Sequence, residues 1–281
     1  MRSRLVGVYA AKYHRHRHEP RIEVCALTHA GRLPAPWLAT GFVVNLVTEG
    51  AADLRSGGRT YSVQPGHVVL ANPGQIREIT HRHTPTASTR SLIFDEDYLR
   101  DAFQSRGLAG GPGYFDQFTS TNRTLQGALL AFHRSLSLLE TRLTLETALE
   151  SLLEQLARVM VKAEPPRWPA HPAVRRAREY IESNSERELG LAELCSVAGL
   201  SRAHFIREFR RQVGIAPHQY QIHTRVRRAR ALLNQGASVA SAAAEAGFCD
   251  QAHLARHFRR LIGVSAADYR QATIREHFRT S

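Results

Sequence analysis

Short apolar runs with β-favouring residues fill the first third of the chain, and helix-period stripes follow. Ile22–Thr28, Phe42–Thr48, Arg59–Val63, His67–Ala71 and Ser88–Phe94 are the strand-like runs. Turn signals at Glu49-Gly50, Ser56-Gly57-Gly58, Pro65-Gly66 and Pro73-Gly74 separate them. Several short strands at this spacing predict an antiparallel β-barrel or sandwich. The period then lengthens. Asp95–Arg106 opens with acidic residues that suit the N-terminus of a helix. Asn122–Leu139 and Leu143–Lys162 are longer and amphipathic. The second of these aligns Leu145, Leu149, Leu152, Leu153, Leu156, Val159 and Met160 on one stripe. Such a stripe suits a homodimer seam or packing on the chain's own barrel equally well.

Residues 163–172 hold Pro165, Pro166, Pro169 and Pro172, which remove backbone donors and disfavour helix. The segment reads as a linker between a domain over residues 1–162 and another over residues 173–281. Beyond it the pattern is all helix, punctuated by Gly199, Gly214, Gly236, Gly247 and Gly263.

An internal repeat organises this second half. Ala203–Tyr220 matches Ala252–Tyr269 at an offset of 49, with 8 of 18 positions identical: Ala203/Ala252, His204/His253, Arg207/Arg256, Phe209/Phe258, Arg210/Arg259, Arg211/Arg260, Gly214/Gly263 and Tyr220/Tyr269. Upstream, Ala198-Gly199-Leu200 matches Ala246-Gly247-Phe248 at an offset of 48, so one residue has been added within the second turn. Helix, glycine-containing turn, helix is the layout of a helix-turn-helix, here predicted twice, at about residues 191–212 and 239–262. On the helix that begins near Ser201, a residue type that favours N-caps, Phe205 and Phe209 share one face. Ala203, Arg207, Arg210 and Arg211 point broadly the other way. The second copy sets Leu254 and Phe258 against Ala252, Arg256, Arg259 and Arg260. A small residue lets backbone approach base edges, and arginine binds guanine or phosphate. Pro217–Asn234 is predicted as one helix carrying Arg225, Arg227, Arg228 and Arg230. It suits a rigid spacer, because successive major-groove faces lie about 34 Å apart.

Charge agrees with a polyanionic partner. The net charge is +13, and residues 171–281 carry 18 Arg against 10 acidic residues, whereas the first 170 residues carry 20 basic against 15 acidic. Only Lys12 and Lys162 are lysines, so some of the bias is arginine usage rather than function. No apolar run reaches the ~18 residues of a membrane span. The basic N-terminus (Arg2, Arg4, Lys12) is followed by no apolar segment, which argues against a secretory signal. Cys25, Cys195 and Cys249 fit neither a disulfide framework nor zinc spacing, and read as buried, reduced thiols of a cytoplasmic protein.

The residues over 171–272 resemble the DNA-binding domain of the AraC family. The stretches that carry the resemblance are Leu191–Leu194, Ala198–Ser201, Phe209–Arg211, Gly214–Pro217, Arg225–Leu233, Gly247–Arg260, Gly263–Ser265 and Tyr269-Arg270. The resemblance implies a bacterial transcription regulator with an α+β two-domain architecture and two recognition helices, near Arg202–Arg211 and Gln251–Arg260. By position it implies DNA contacts from Arg202, Ala203, Ile206, Arg207 and Arg210 in the first unit. In the second unit the implied contacts are Gln251, Ala252, His253, Arg256 and Arg259. Double-stranded DNA, a small-molecule effector and RNA polymerase are the partners it implies, with no cofactor. Two departures stand out: Ala242 replaces a bulky aliphatic and Ala266 a proline, so the second unit is expected to pack differently or be less stable. Tyr61–Gly74 resembles the cupin-like sensor domain found in many members. Arg77 and the residues of Phe42–Thr48 are then the expected effector pocket.

His14, His16, His18, His81 and His83 sit at strand spacing that could converge on a metal ion. No acid follows His83 over Thr84–Arg90, and Arg77 stands where a metal-binding cupin has histidine, so no metal is expected. No nucleophile elbow, phosphate loop or zinc-hydrolase motif occurs, and the chain is not expected to be an enzyme. The alternatives are a constitutive DNA-binding regulator without effector and a cupin-type metal oxygenase, which would leave the repeat unexplained.

Overall fold

The computed structural model describes residues 9–16, 19–30, 36–108, 113–137, 141–161 and 171–277. The first domain is built on strands β1 (Tyr9–His16), β2 (Glu19–Ala30), β3 (Trp37–Leu38), β4 (Phe42–Glu49) and β5 (Ala52–Ser56), then β6 (Arg59–Val63), β7 (Val68–Ala71), β8 (Ile76–Arg82) and β9 (Thr86–Phe94). Helix α1 (Glu96–Ser105), the short strand β10 (Thr119–Ser120) and helices α2 (Arg123–Ser137) and α3 (Arg142–Val159) complete it. All pairings are antiparallel, in a larger sheet ordered β1-β2-β9-β4-β7-β10 and a smaller one ordered β3-β8-β5-β6.

Alternation along the larger sheet serves two cores. Val44, Leu46, Val68, Leu70, Leu92 and Phe94 face helices α1–α3 in the main core. Val47 and Val69 face the smaller sheet and meet Leu54 and Val63 there. Of the α3 stripe, Leu149, Leu152, Leu153, Leu156 and Met160 are buried in the main core of the same chain, the packing alternative to a dimer seam. Asp95 caps α1 through Oδ1, which accepts from the backbone of Asp97 and Tyr98 at 3.0 and 3.2 Å.

Of the linker, residues 163–170 lie outside the described residues. His171 and Pro172 belong to the next helix as N-cap and first helical residue, where the missing proline N–H costs nothing. The second domain comprises α4 (Pro172–Ser183), α5 (Leu191–Ala198), α6 (Arg202–Val213), α7 (Pro217–Asn234), α8 (Val239–Glu245), α9 (Gln251–Ile262) and α10 (Ala266–His277). The repeat is carried into three dimensions: α6 and α9 have the same length at the same offset and end at Gly214 and Gly263, with φ of 92° and 91°. Phe205, Phe209 and Tyr220 anchor the first unit; Leu254, Phe258 and Tyr269 anchor the second.

The first unit's core also takes in Leu38 and Ile76 from β3 and β8 of the sensor. Among the described residues no helix is long and apolar enough to cross a membrane. The cysteine expectation needs correction: Cys25 is buried, Cys195 half-buried and Cys249 exposed, all three unbridged.

Candidate DNA-reading face and effector pocket

On α6, Arg202, Ala203, Arg207 and Arg210 are exposed, and Ile206 is half-buried. On α9, Gln251, Ala252, Arg256 and Arg259 are exposed. Eight of the ten residues expected at DNA are thus exposed on two helices held by aromatic and leucine residues behind them. Two neighbouring side chains carry further contacts. Arg211 is tied to Glu208, which accepts from its Nη2 at 2.5 Å and from Gln212 at 2.9 Å. These bonds hold the buried Glu208 carboxyl down at about 2. His253 is half-buried and packs edge-on against Phe248, with ring centroids 5.2 Å apart, and against His257 at 4.9 Å. Its Nδ1 lies 3.2 Å from the Cys249 thiol. Ser201 is the N-cap of α6 but makes no side-chain capping bond. Asp250 caps α9 instead, accepting from the His253 backbone at 2.6 Å, which lowers its pKa.

The spacer helix α7 is fixed by arginines whose roles the sequence did not disclose. Arg225 donates to the carbonyls of Ser185 and Arg187 at 2.6 and 2.9 Å, and Arg228 pairs with Glu186 at 3.0 Å. These bonds clamp the α4–α5 turn onto α7. Gly247 closes on the same turn, and a Cβ there would sit 2.1 Å from the Glu186 carbonyl oxygen. The two units therefore form one block. Ala242 and Ala266, the two departures from the family pattern, are both fully buried. Helix α8 fully buries only Ala242 and Ala243, whereas α5 buries Leu194 and Ala198, so α8 itself fills less apolar volume than α5.

Between the two sheets of the sensor lies a small pocket with a cavity volume of about 50 Å³. Val47, Leu54, Val63 and Ile79 supply apolar walls. Arg77, named from the sequence, lines it, its guanidinium 6.0 Å from the centre of the Trp37 ring. Asn45, within the expected Phe42–Thr48 wall, and Thr89 also line it. Asn45 Oδ1 and Thr89 Oγ1 are buried there without a hydrogen-bond partner among the described residues. Sequence patterning does not indicate Trp37 or Thr89: strand pairing brings Trp37 to Arg77, and Thr89 lines the pocket from the other sheet.

Trp37 pairs with Arg77 and Leu38 with Ile76 across β3 and β8. Successive residues of a strand face opposite sides. One residue of each strand thus lines the pocket, and its neighbour enters the core of the first helix-turn-helix unit. A Cβ on Gly214, the cap of α6, would lie 3.7 Å from Ile76 Cγ2.

No group of three or more His, Cys, Asp or Glu among the described residues is arranged to hold a metal ion. His83 Nε2 lies 3.2 Å from Asp53 Oδ1. The side chains of His14, His16, His18 and His81 lie outside the described residues.

The family described as the AraC-like ligand binding domain matches residues 36–157, and the helix-turn-helix domain family matches residues 194–272. The uncharacterized HTH-type transcriptional regulator YbfI of Bacillus subtilis (strain 168) is 26% identical over 212 residues, 75% of this chain and 77% of that protein. The probable transcriptional regulator LumQ of Photobacterium leiognathi is 41% identical over 54 residues, 19% of this chain and 22% of that protein. The solved structure of ToxT from Vibrio cholerae O395 bound to (E)-4-(8-methylnaphthalen-1-yl)but-3-enoic acid shares the fold. Its TM-score is 0.50 at 10% identity, covering 90% of this chain and 99% of that one.

Proposed function

The chain belongs to the AraC family of DNA-binding transcription regulators, and on that premise we propose that a small, mostly apolar effector with an acidic group controls how it holds DNA. One observation carries this reading. The strand pair β3–β8 presents Trp37 and Arg77 to the sensor pocket and Leu38 and Ile76 to the first reading unit. A ligand that shifts the first pair displaces the second, because both ride on the same two backbones. Arg77 supplies a positive charge in an apolar pocket. Asn45 Oδ1 and Thr89 Oγ1 supply polar atoms for a ligand to satisfy, and such atoms are costly to bury unpaired.

The reader works through two faces. Ala203 and Ala252 let the starts of α6 and α9 approach base edges in adjacent major grooves. Arg207 and Arg256 reach guanine, and Arg202, Arg210 and Arg259 reach base or phosphate. Ile206 and Gln251 border those contacts. His253, packed under the Cys249 turn, orients the start of α9 rather than reading a base. The domains run over residues 1–162 and 173–281, joined by residues 163–172. On this reading the protein acts in the cytoplasm, without catalysis, with RNA polymerase as a further partner, and the α3 stripe is spent on its own core rather than on a second copy of the chain.

Thermal unfolding of the full chain against a set of small aromatic and aliphatic carboxylates tests the effector. A ligand at a hundredfold excess over its Kd should stabilise by about 2.7 kcal/mol. Arg77→Ala should abolish that gain. If Arg77→Ala responds like the parent, the pocket assignment fails, and if no member of the class stabilises the chain, the constitutive regulator is the better reading.

A further inference from the structure

The repeat is broken at one buried polar contact, and the break crosses between the domains. In the first unit the Tyr220 hydroxyl donates to Glu182 on α4, the helix that precedes the unit. Arg178, one turn back on α4, lies 3.6 Å from the same carboxylate. Tyr220 packs edge-on against Phe209 of the recognition helix, with ring centroids 5.8 Å apart. The second unit keeps the ring geometry, with Tyr269 and Phe258 at 5.4 Å. It does not keep the acid. At the 48-residue offset that relates Gly199 to Gly247 and Leu191 to Val239, the counterpart of Glu182 is Arg230. Tyr269 therefore meets a cation on α7, whose Nε donates to its hydroxyl at 3.0 Å.

The missing carboxylate comes from the sensor. Glu23 on β2 pairs with Arg230 and accepts from the Tyr269 hydroxyl at 2.7 Å. Thr40, also of the sensor, accepts from Arg230 Nη1 at 2.8 Å, and Asn234 on α7 reaches Glu23 at 3.4 Å. Glu23, Arg230 and Tyr269 are 9%, 5% and 3% exposed, so little water shares the load. A buried arginine that loses its counter-charge is strongly unfavourable, more so than one replaced together with its partner by apolar groups. Helix α8 buries only the small Ala242 and Ala243 fully, with Val239 partly buried beside them.

We propose that Glu23 of the sensor is a positioning residue for the second reading unit, which keeps its DNA-reading shape only while the two domains stay docked through the Glu23–Arg230–Tyr269 contact. The first unit carries its own acid for this contact and meets the sensor through the apolar Leu38 and Ile76 instead. Loss of this polar contact alone would then weaken the second reader and leave the first, whose tyrosine is paired within its own domain, in place.

Hydrogen exchange of the full chain, without DNA or effector, tests this. Glu23→Gln removes the charge and keeps the shape. Exchange across residues 239–262 should accelerate by about tenfold while residues 202–213 change by less than about twofold. Adding Arg230→Met to Glu23→Gln removes the orphaned cation and should restore protection across 239–262. Should Glu23→Gln alone fail to fold, the double variant carries the test, and protection in it equal to the parent supports the proposal. Unchanged exchange in Glu23→Gln, equal acceleration of both units, or a double variant no better protected than the single one would each overturn it.

Discussion

His223 sits on α7 where the spacer faces the second recognition helix, 8% exposed, at a pocket shared with His218, His257 and Arg260. Burial holds its pKa at about 4 instead of the ordinary 6.5, and the nearby Arg260 and His257 push the same way. A depressed histidine pKa means that folding favours the neutral ring. The associated stability is complete above about pH 6.5 and is lost as pH falls toward about 4. At about pH 5 the unfolded chain binds the proton almost fully and the folded chain hardly at all. Between about pH 7.5 and 5 this one group therefore removes about 2 kcal/mol. His257 is depressed too, by burial first and then by its basic neighbours, and acts in the same direction. The clean measurement is thus a difference. Urea unfolding of parent and His223→Gln at both pH values should show the variant losing about 2 kcal/mol less on acidification. Equal losses in the two proteins would show that the His223 ring is not held neutral by burial, and the packing of α7 against α9 would need to be redrawn.

Other outcomes follow from the same geometry. Gly247→Ala places a Cβ against the Glu186 carbonyl at a φ of 83°, and should destabilise the chain by about 2 kcal/mol or more in urea unfolding, whereas Gly236→Ala, with a φ of 93° but open space around it, should cost less. Ile76→Ala removes a side chain 6% exposed in the core shared with the first reader, and should cost about 2–4 kcal/mol of stability. The same variant should bind effector in the sensor pocket with Kd changed little, yet lose the effector's influence on DNA affinity.

The legible parts of this molecule were those whose meaning is local or repeated. The 49-residue offset located both recognition helices, and proline at its first position marked α7 from Pro217 to Asn234. Strands β5 and β8 escaped because their outward positions are charged. Arg55 and Glu78 face each other there at 2.6 Å, which masks the alternation of Leu54, Ile76 and Ile79. Arg77 was identified by its place after a Pro-Gly turn, but Trp37 meets it only through a two-residue ladder that no local pattern announces. His253 reads as the twin of the exposed His204, and only the structure shows it packed beneath Phe248. The Glu23–Arg230 pair joins positions on different domains, and a charge reversal within a repeat looks like ordinary surface variation until the partner is seen.

The central claim is that α6 and α9 each read one segment of the same duplex. It is tested by selecting duplexes that the full chain retains from a random pool, then measuring base preferences of the parent, Arg207→Ala and Arg256→Ala. Two protected major-groove segments about 34 Å apart are expected. Each variant should lose about 1–3 kcal/mol and relax discrimination in one segment only, a different one for each arginine. A single protected segment, or equal weakening on every sequence by both variants, would contradict it.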